Sequence, residues 1–286
     1  MTPFAAPSLA LGTWLAALHP AAQVGWTRFT VHWSTVIGLL AFGALYAWRA
    51  RRMPAGASPL TRGRRALFVA GLVAIFLALN GWLHDLSDYY LFSAHMVQHL
   101  VLTFVAVPFL IMGTPGWMLR PLLDVPVLGP VLRWTTHPFR CYVIFNVIVA
   151  AWHLPVLYNQ AMASHEVHIV QHLMFMAGSA LMWWPVLSPL PELPRLSYPL
   201  QMLYLFLLSI PMSMVAVYIV YANEVLYPAY ASAPRIIPLS PMQDQLLGGL
   251  IMWIPGGLFF YAILSVVFFK WQAKNDDSAA GAQVAA

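Results

Sequence analysis

The sequence has little charge and almost no cysteine. Only 8% of its 286 residues are charged, whereas 61% are hydrophobic. Because a soluble globular domain carries about 25% charged residues, this composition excludes a water-soluble fold as the main architecture. The single cysteine, Cys141, excludes an internal disulfide and a thiolate cluster. Any metal chemistry must therefore use nitrogen, oxygen or thioether ligands.

Long hydrophobic runs are the main feature that is present. A hydrocarbon core about 30 Å thick needs about 20 apolar residues per helix, and about seven such runs occur. The sequence therefore predicts an all-α polytopic membrane helix bundle, since helices satisfy their own backbone hydrogen bonds in lipid. The runs cover residues 29–48, 65–83, 91–112, 140–158, 167–187, 200–221 and 245–270.

The domain organisation that follows is simple. Residues 29–274 form one membrane domain, and residues 1–28 form an amino-terminal segment outside the cytoplasm. The tail of residues 275–286 is polar and alanine-rich, which predicts disorder.

The basic residues indicate the orientation of the bundle. Lysine and arginine favour cytoplasmic loops, and the loop between the first two runs is rich in arginine. If that loop is cytoplasmic, all basic residues except Arg28 and Arg235 fall on the same side. The amino terminus is therefore predicted outside and the carboxyl terminus in the cytoplasm. The net charge of +5 is then explained by the cytoplasmic loops and does not indicate a nucleic-acid partner. Membrane lipid is the expected environment of the bundle.

A short histidine motif occurs twice. Residues 95–100 read His-Met-Val-Gln-His-Leu, and residues 168–173 read His-Ile-Val-Gln-His-Leu. A tryptophan and a histidine precede each copy, at Trp82 and His84 and again at Trp152 and His153. The second and third helices therefore resemble the fourth and fifth as a parallel repeat.

Most of the ten histidines gather at the predicted outer side of the membrane. The members of this group are His84, His95, His99, His153, His165, His168 and His172. Residues three, four and seven apart share one face of a helix, so His165, His168 and His172 form a ladder if the helix includes position 165. Acidic residues on the same side are candidate supporting groups or further ligands: Asp85, Asp88, Glu166, Glu224 and Asp244.

This pattern favours a metal or heme site over scattered interfacial anchoring. Imidazole is mostly neutral at pH 7 and has a lone pair for a metal. Polar side chains at membrane depth usually face the bundle interior and mark function. Neutral imidazole suits copper, zinc, iron and nickel alike, whereas thioethers favour Cu(I), and the chain has 14 methionines. Most of these methionines are expected to be packing residues.

The ordered motifs resemble those of the caa(3)-type cytochrome c oxidase assembly factors, the CtaG family. The resemblance includes both histidine motifs with the Gly-Thr-Pro of 113–115 and the Trp-Trp-Pro of 183–185, the Trp-His-Leu-Pro of 152–155, and the stretch from Asp244 to Gly256. It implies a bacterial plasma-membrane protein that helps to mature a copper and heme oxidase. Oxidase subunits and other copper chaperones are the partners that it implies. Gln171 departs from the glutamate expected in many relatives.

The leading hypothesis is a non-enzymatic assembly factor with a copper site formed by His95, His99, His168 and His172. The next candidate ligands are His84, His153, His165 and Asp244. One alternative is a membrane cytochrome whose facing histidines bind heme from both sides. Another is a zinc-dependent membrane hydrolase with three histidines and a carboxylate base.

Overall fold

The computed structural model describes residues 29–285, with side chains described through Ser278. The predicted amino-terminal segment of residues 1–28 lies outside the described residues. The described secondary structure is helical, and the elements are α1 Trp33–Arg51, α2 Arg62–Leu79, α3 Gly81–Tyr89, α4 Phe92–Leu100, a π-helical turn Val101–Ala106, α5 Val107–Gly113, α6 Gly116–Leu119, a 3-10 turn Arg120–Asp124, α7 Leu128–Thr135, α8 Pro138–His153, α9 Pro155–Ala163, α10 His165–Leu187, α11 Tyr198–Val220, α12 Pro228–Ala231 and α13 Pro241–Ala285.

Several of these helices are long and apolar enough to cross a membrane. By length and composition alone, Phe92–Gly113, Tyr198–Val220 and Pro241–Ser278 meet this description. Two bent pairs raise the number to five: α2 with α3, bent by 43°, and α8 with α9, bent by 71°. A membrane helix bundle is therefore supported, while the seven spans and the orientation of the termini stay predictions.

The two other predicted spans correspond to α1, of 19 residues, and α10, of 23 residues. Both have the length of a span. The arginines that end α1 and the histidines of α10 lower the hydropathy of these helices. The histidines of α10 thus reduce the mean hydropathy of this helix as a membrane span.

A glycine breaks the helix between α2 and α3. Gly81 adopts φ +66°, a conformation that side-chain-bearing residues disfavour, and a Cβ there would lie 2.2 Å from Phe29 Cε2. Two hydrogen bonds tie this break to the start of α1. The Gly81 N–H donates to Thr30 O over 2.7 Å, and the His32 N–H donates to Asn80 Oδ1 over 2.7 Å. The break therefore holds His32 beside His84 of α3.

A proline breaks the helix between α8 and α9. Pro155 lacks an N–H and disfavours helical geometry at the residue before it, and Leu154 is accordingly extended, with ψ 134°. His153 becomes the last residue of α8. Its carbonyl accepts a hydrogen bond of 2.9 Å from Tyr227 Oη, which fixes the bend.

A π-helical turn directly follows the first histidine motif. Such turns leave carbonyls without the usual helical partner and occur often at functional sites. Here the Thr103 carbonyl accepts hydrogen bonds from Ser179 Oγ at 2.6 Å and Trp183 Nε1 at 2.9 Å. Both donors belong to α10, so these bonds dock the helix of the first motif onto the helix of the second.

The carboxyl-terminal half supplies much of the apolar core. Leu205, Leu208 and Ala216 of α11 are fully buried, as is Phe260 of α13. Helix α13 continues to Ala285. The predicted domain limits, including a disordered tail at residues 275–286, stay predictions.

Candidate metal centre

Three buried histidines from two helices converge at one end of the bundle. His95 of α4 and His168 and His172 of α10 each offer a ring nitrogen, and these nitrogens lie within 4.8 Å of one another. Nitrogen ligands of a bound metal lie about 2.0–2.1 Å from the ion. A three-coordinate site would therefore need the imidazoles to turn inward toward a shared ion. We call these residues the histidine triad.

Helical spacing and helix docking together build the triad. His168 and His172 lie one turn apart on α10, with ring centroids separated by 4.4 Å. The His95 ring stacks at 5.6 Å from His168 and lies 6.2 Å from His172. The spacing within α10 follows from the sequence, whereas the approach of His95 depends on how α4 docks.

Several ring nitrogens of the triad are buried without a partner among the described residues. Neither ring nitrogen of His95 has a hydrogen-bond partner among the described residues, and the Nε2 atoms of His168 and His172 also lack one. All of these atoms are buried. An unsatisfied buried polar group costs about 1–3 kcal/mol, so a bound cation would satisfy several such atoms at once. The donor set fits a metal that accepts neutral nitrogen ligands.

Asp88 supports the triad from the side of α3. Its Oδ2 lies 3.5 Å from His168 Nδ1 and 3.4 Å from His84 Nε2, while Ser87 Oγ donates to Oδ1 over 2.9 Å. A carboxylate behind a ligating histidine sets its tautomer and increases its basicity. With Nδ1 facing Asp88, the Nε2 lone pair of His168 is available to an ion.

His84 lies near the triad but has both ring nitrogens occupied. Gln98 Nε2 donates to His84 Nδ1 over 3.0 Å and to Ala78 O over 2.8 Å. Because Nδ1 accepts this bond, Nε2 carries the proton and faces Asp88. His84 therefore positions Asp88 rather than offering a free lone pair. Gln98 is a residue that sequence reasoning did not single out, although a glutamine between two histidines on a buried helix face was a usable signal.

His99 and His153 extend the cluster deeper into the bundle. The His99 ring lies 4.2 Å from His95 and 5.5 Å from His172, and neither of its nitrogens has a hydrogen-bond partner among the described residues. The His153 ring lies 6.2 Å from His99. His153 Nδ1 donates to Val149 O over 2.7 Å, which leaves the Nε2 lone pair available.

The remaining two predicted ligands, His165 and Asp244, are not members of the triad. His165 begins α10, as the ladder on this helix requires, but it is only half-buried. The Asp244 carboxylate accepts hydrogen bonds from Phe92 N, Ser93 N and Ser93 Oγ at 2.7, 3.2 and 2.5 Å. Asp244 therefore caps the amino end of α4, the helix that carries His95, as a carboxylate does at a helix N-terminus.

An apolar cavity of about 630 Å³ reaches the triad from one side. Histidines line one part of it, and apolar side chains of α1, α2, α5 and α10 line much of the rest. His32, which the sequence did not assign to the site, also lines this cavity and packs edge-on against His84 at 4.3 Å. The contributing histidines are His32, His84, His165, His168 and His172. The cavity therefore borders two members of the triad, His168 and His172.

The model of the cytochrome c oxidase caa3 assembly factor family matches residues 44–274, which is most of the chain. The chain belongs to this family. No curated protein and no solved structure matches it. The matched range extends from α1 into α13 and contains the whole triad, Asp88, His99 and His153. The resemblance inferred from the histidine motifs is confirmed, and the family acts on cytochrome c oxidase during its maturation.

Proposed function

We propose that this protein is a non-catalytic assembly factor that binds Cu(I) at the histidine triad and transfers it during oxidase maturation. The observation that carries this proposal is the approach of three buried ring nitrogens, from two separate helices, to within 4.8 Å of one another. The bacterial plasma membrane is the proposed location, with the triad near the outer face. Oxidase subunits are the proposed recipients, and other copper chaperones are the proposed donors.

The surroundings of the triad fit a copper carrier better than a zinc hydrolase. Neutral imidazoles suit copper, and a three-coordinate site is open enough to exchange its ion with a partner. A zinc hydrolase would need a carboxylate free to act as a base. The nearest carboxylate, Asp88, is instead held between His84 and His168.

The packing around His95 also disfavours a heme. The centroid of its ring lies 4.2 Å from that of the His99 ring and 5.2 Å from that of the Tyr158 ring. These side chains occupy space that a porphyrin plane would need beside His95. A visible spectrum of the purified protein tests this point, since a bis-histidine heme gives an intense Soret band.

Metal titration of the purified protein tests the proposed function. We expect wild type to bind Cu(I) in competition with a chromophoric chelator, and His172→Ala to lose most of this affinity. His137→Ala is the matched control, because His137 is exposed and outside the cluster. Equal copper affinity in wild type and His172→Ala would contradict the proposal.

A deletion strain tests the cellular role. If copper transfer is the function, oxidase activity should fall on deletion and recover when copper is added to the medium. A deficit that copper does not relieve would favour a scaffolding role instead.

A further inference from the structure

A second, smaller cavity lies beside His99, one helical turn along α4 from His95. Its volume is about 30 Å³. Three methionines and two histidines contribute to its wall together with aromatic and aliphatic side chains. The five residues that we call the thioether chamber are Met96, Met212, Met252, His99 and His153.

Four helices bring the members of the thioether chamber together. Met96 and His99 are three residues apart on α4 and share a face. Met212 comes from α11, Met252 from α13, and His153 from the end of α8. The exposed fractions of the three methionines are 2%, 5% and 4%, so the thioethers lie in the protein interior rather than in lipid.

A glycine on the last helix sets the position of one thioether. A Cβ at Gly256 would lie 2.2 Å from the terminal methyl of Met212. Any larger residue at this position would push the Met212 side chain aside. The close approach of α13 thus constrains the Met212 side chain, which lines the chamber.

The chamber supplies neutral soft and borderline ligands with free lone pairs. Both ring nitrogens of His99 are buried without a hydrogen-bond partner among the described residues. His153 donates from Nδ1 to Val149 O and keeps Nε2 free. Thioether and imidazole ligands together select Cu(I) rather than the harder divalent ions.

The size and lining of the chamber suit an ion better than water. A void of this size holds about one water molecule, which needs two to four polar partners. Among the lining residues, only His99, His153 and Thr103 have a side-chain nitrogen or oxygen, and Thr103 Oγ already donates to His99 O over 2.7 Å. Methionines often fill gaps in a protein core. That role alone does not explain why the buried imidazole of His99, which has no hydrogen-bond partner among the described residues, lies beside them.

We infer that the thioether chamber is a second Cu(I) site, which receives copper from the histidine triad through His99. This inference rests on the proposed function, because the triad is the source of the ion. The His99 ring lies 4.2 Å from His95 on one side and 6.2 Å from His153 on the other. Transfer is a ligand exchange in which bonds from copper to triad nitrogens break as bonds to His99 and the methionine sulfurs form. Copper stays Cu(I), so no oxidant or reductant is needed.

Cu(I) titration combined with X-ray absorption at the copper edge tests this inference on the full-length protein. We expect wild type to bind a second equivalent of Cu(I) and to show sulfur scattering at that loading. The double variant Met212→Leu with Met252→Leu should lose the second equivalent and the sulfur signal but keep the first equivalent with nitrogen ligands. Leucine conserves side-chain volume, so the fold should be retained.

Met182→Leu is the matched control, because Met182 is fully buried on α10 but does not line the chamber. It should bind copper as wild type does. A wild-type protein that binds one equivalent without sulfur ligands would overturn the thioether chamber and leave the proposed function standing. A wild-type protein that binds no Cu(I) would overturn both.

Discussion

The first histidine hairpin, formed by α3 and α4, and the second, formed by α8 to α10, carry nearly the same motif but hold it by different contacts. In the first hairpin, Gln98 donates to both His84 and the Ala78 carbonyl. In the second, the corresponding Gln171 is fully buried, and its side-chain nitrogen and oxygen have no partner among the described residues. In the first hairpin, Gln98 and Asp88 hold the preceding histidine, His84. In the second, the preceding histidine, His153, donates to the Val149 carbonyl of its own helix.

The helix breaks account for this difference. The Gly81 break bends the chain by 43° and keeps α3 alongside α4, so that His84 and Asp88 face the triad. The Pro155 break bends it by 71° and leaves His153 at the end of α8. A repeated motif thus places like side chains at like helix ends, while the residue at the break decides which neighbours they meet.

The largest expected effect on Cu(I) affinity comes from the unequal number of triad ligands in the two hairpins. The second hairpin contributes two members of the triad and the first contributes one. The double variant His168→Ala with His172→Ala should therefore weaken Cu(I) binding more than His95→Ala does. Both losses should exceed the roughly 10–100-fold effect typical of a lost supporting group. Chelator competition on the purified variants measures this, and equal losses would indicate a ligand set different from the triad.

A smaller effect on Cu(I) affinity is expected from the Asp88 carboxylate, which only the first hairpin supplies. Asp88→Asn removes the negative charge behind His168, so Cu(I) affinity should fall by about 10–100-fold. Asp85→Asn is the control, because Asp85 lies three residues earlier and its Oδ2 accepts a hydrogen bond of 2.7 Å from Thr30. If the two variants bind copper alike, Asp88 is not a supporting group of the site.

The smallest expected effect is on stability and concerns Gln98 and Gln171, which occupy equivalent positions in the two motifs. Gln98→Leu leaves the Ala78 carbonyl and His84 Nδ1 without their donor, and should lower the free energy of unfolding by about 1–3 kcal/mol. Gln171→Leu removes a buried amide that has no partner among the described residues, so it should leave stability unchanged or raise it. Thermal unfolding in one detergent measures both. A larger loss for Gln171→Leu would show that its amide has a role in the second hairpin that these contacts do not reveal.

Much of the site could be predicted because helical periodicity is local. The pairing of His168 with His172 follows from a spacing of four residues, and the hydrophobic runs located the helices that carry the motifs. The role of Asp244 could not be predicted in this way. A carboxylate near histidines suggests a ligand, but its oxygens accept hydrogen bonds from Phe92 and Ser93, far away in sequence.

Sequence alone determined that this chain forms a helical membrane bundle, that it belongs among the oxidase assembly factors, and that its histidines cluster at one end. The helical bundle and the histidine cluster follow from composition and from spacing within single helices, whereas the family follows from the resemblance of ordered motifs. Only the tertiary structure decided which histidines have free lone pairs, that His84 supports Asp88, and that methionines from three helices surround one cavity. Rotation and docking of separate helices set these contacts, and both depend on helix breaks and on bonds such as those that Ser179 and Trp183 make to the Thr103 carbonyl.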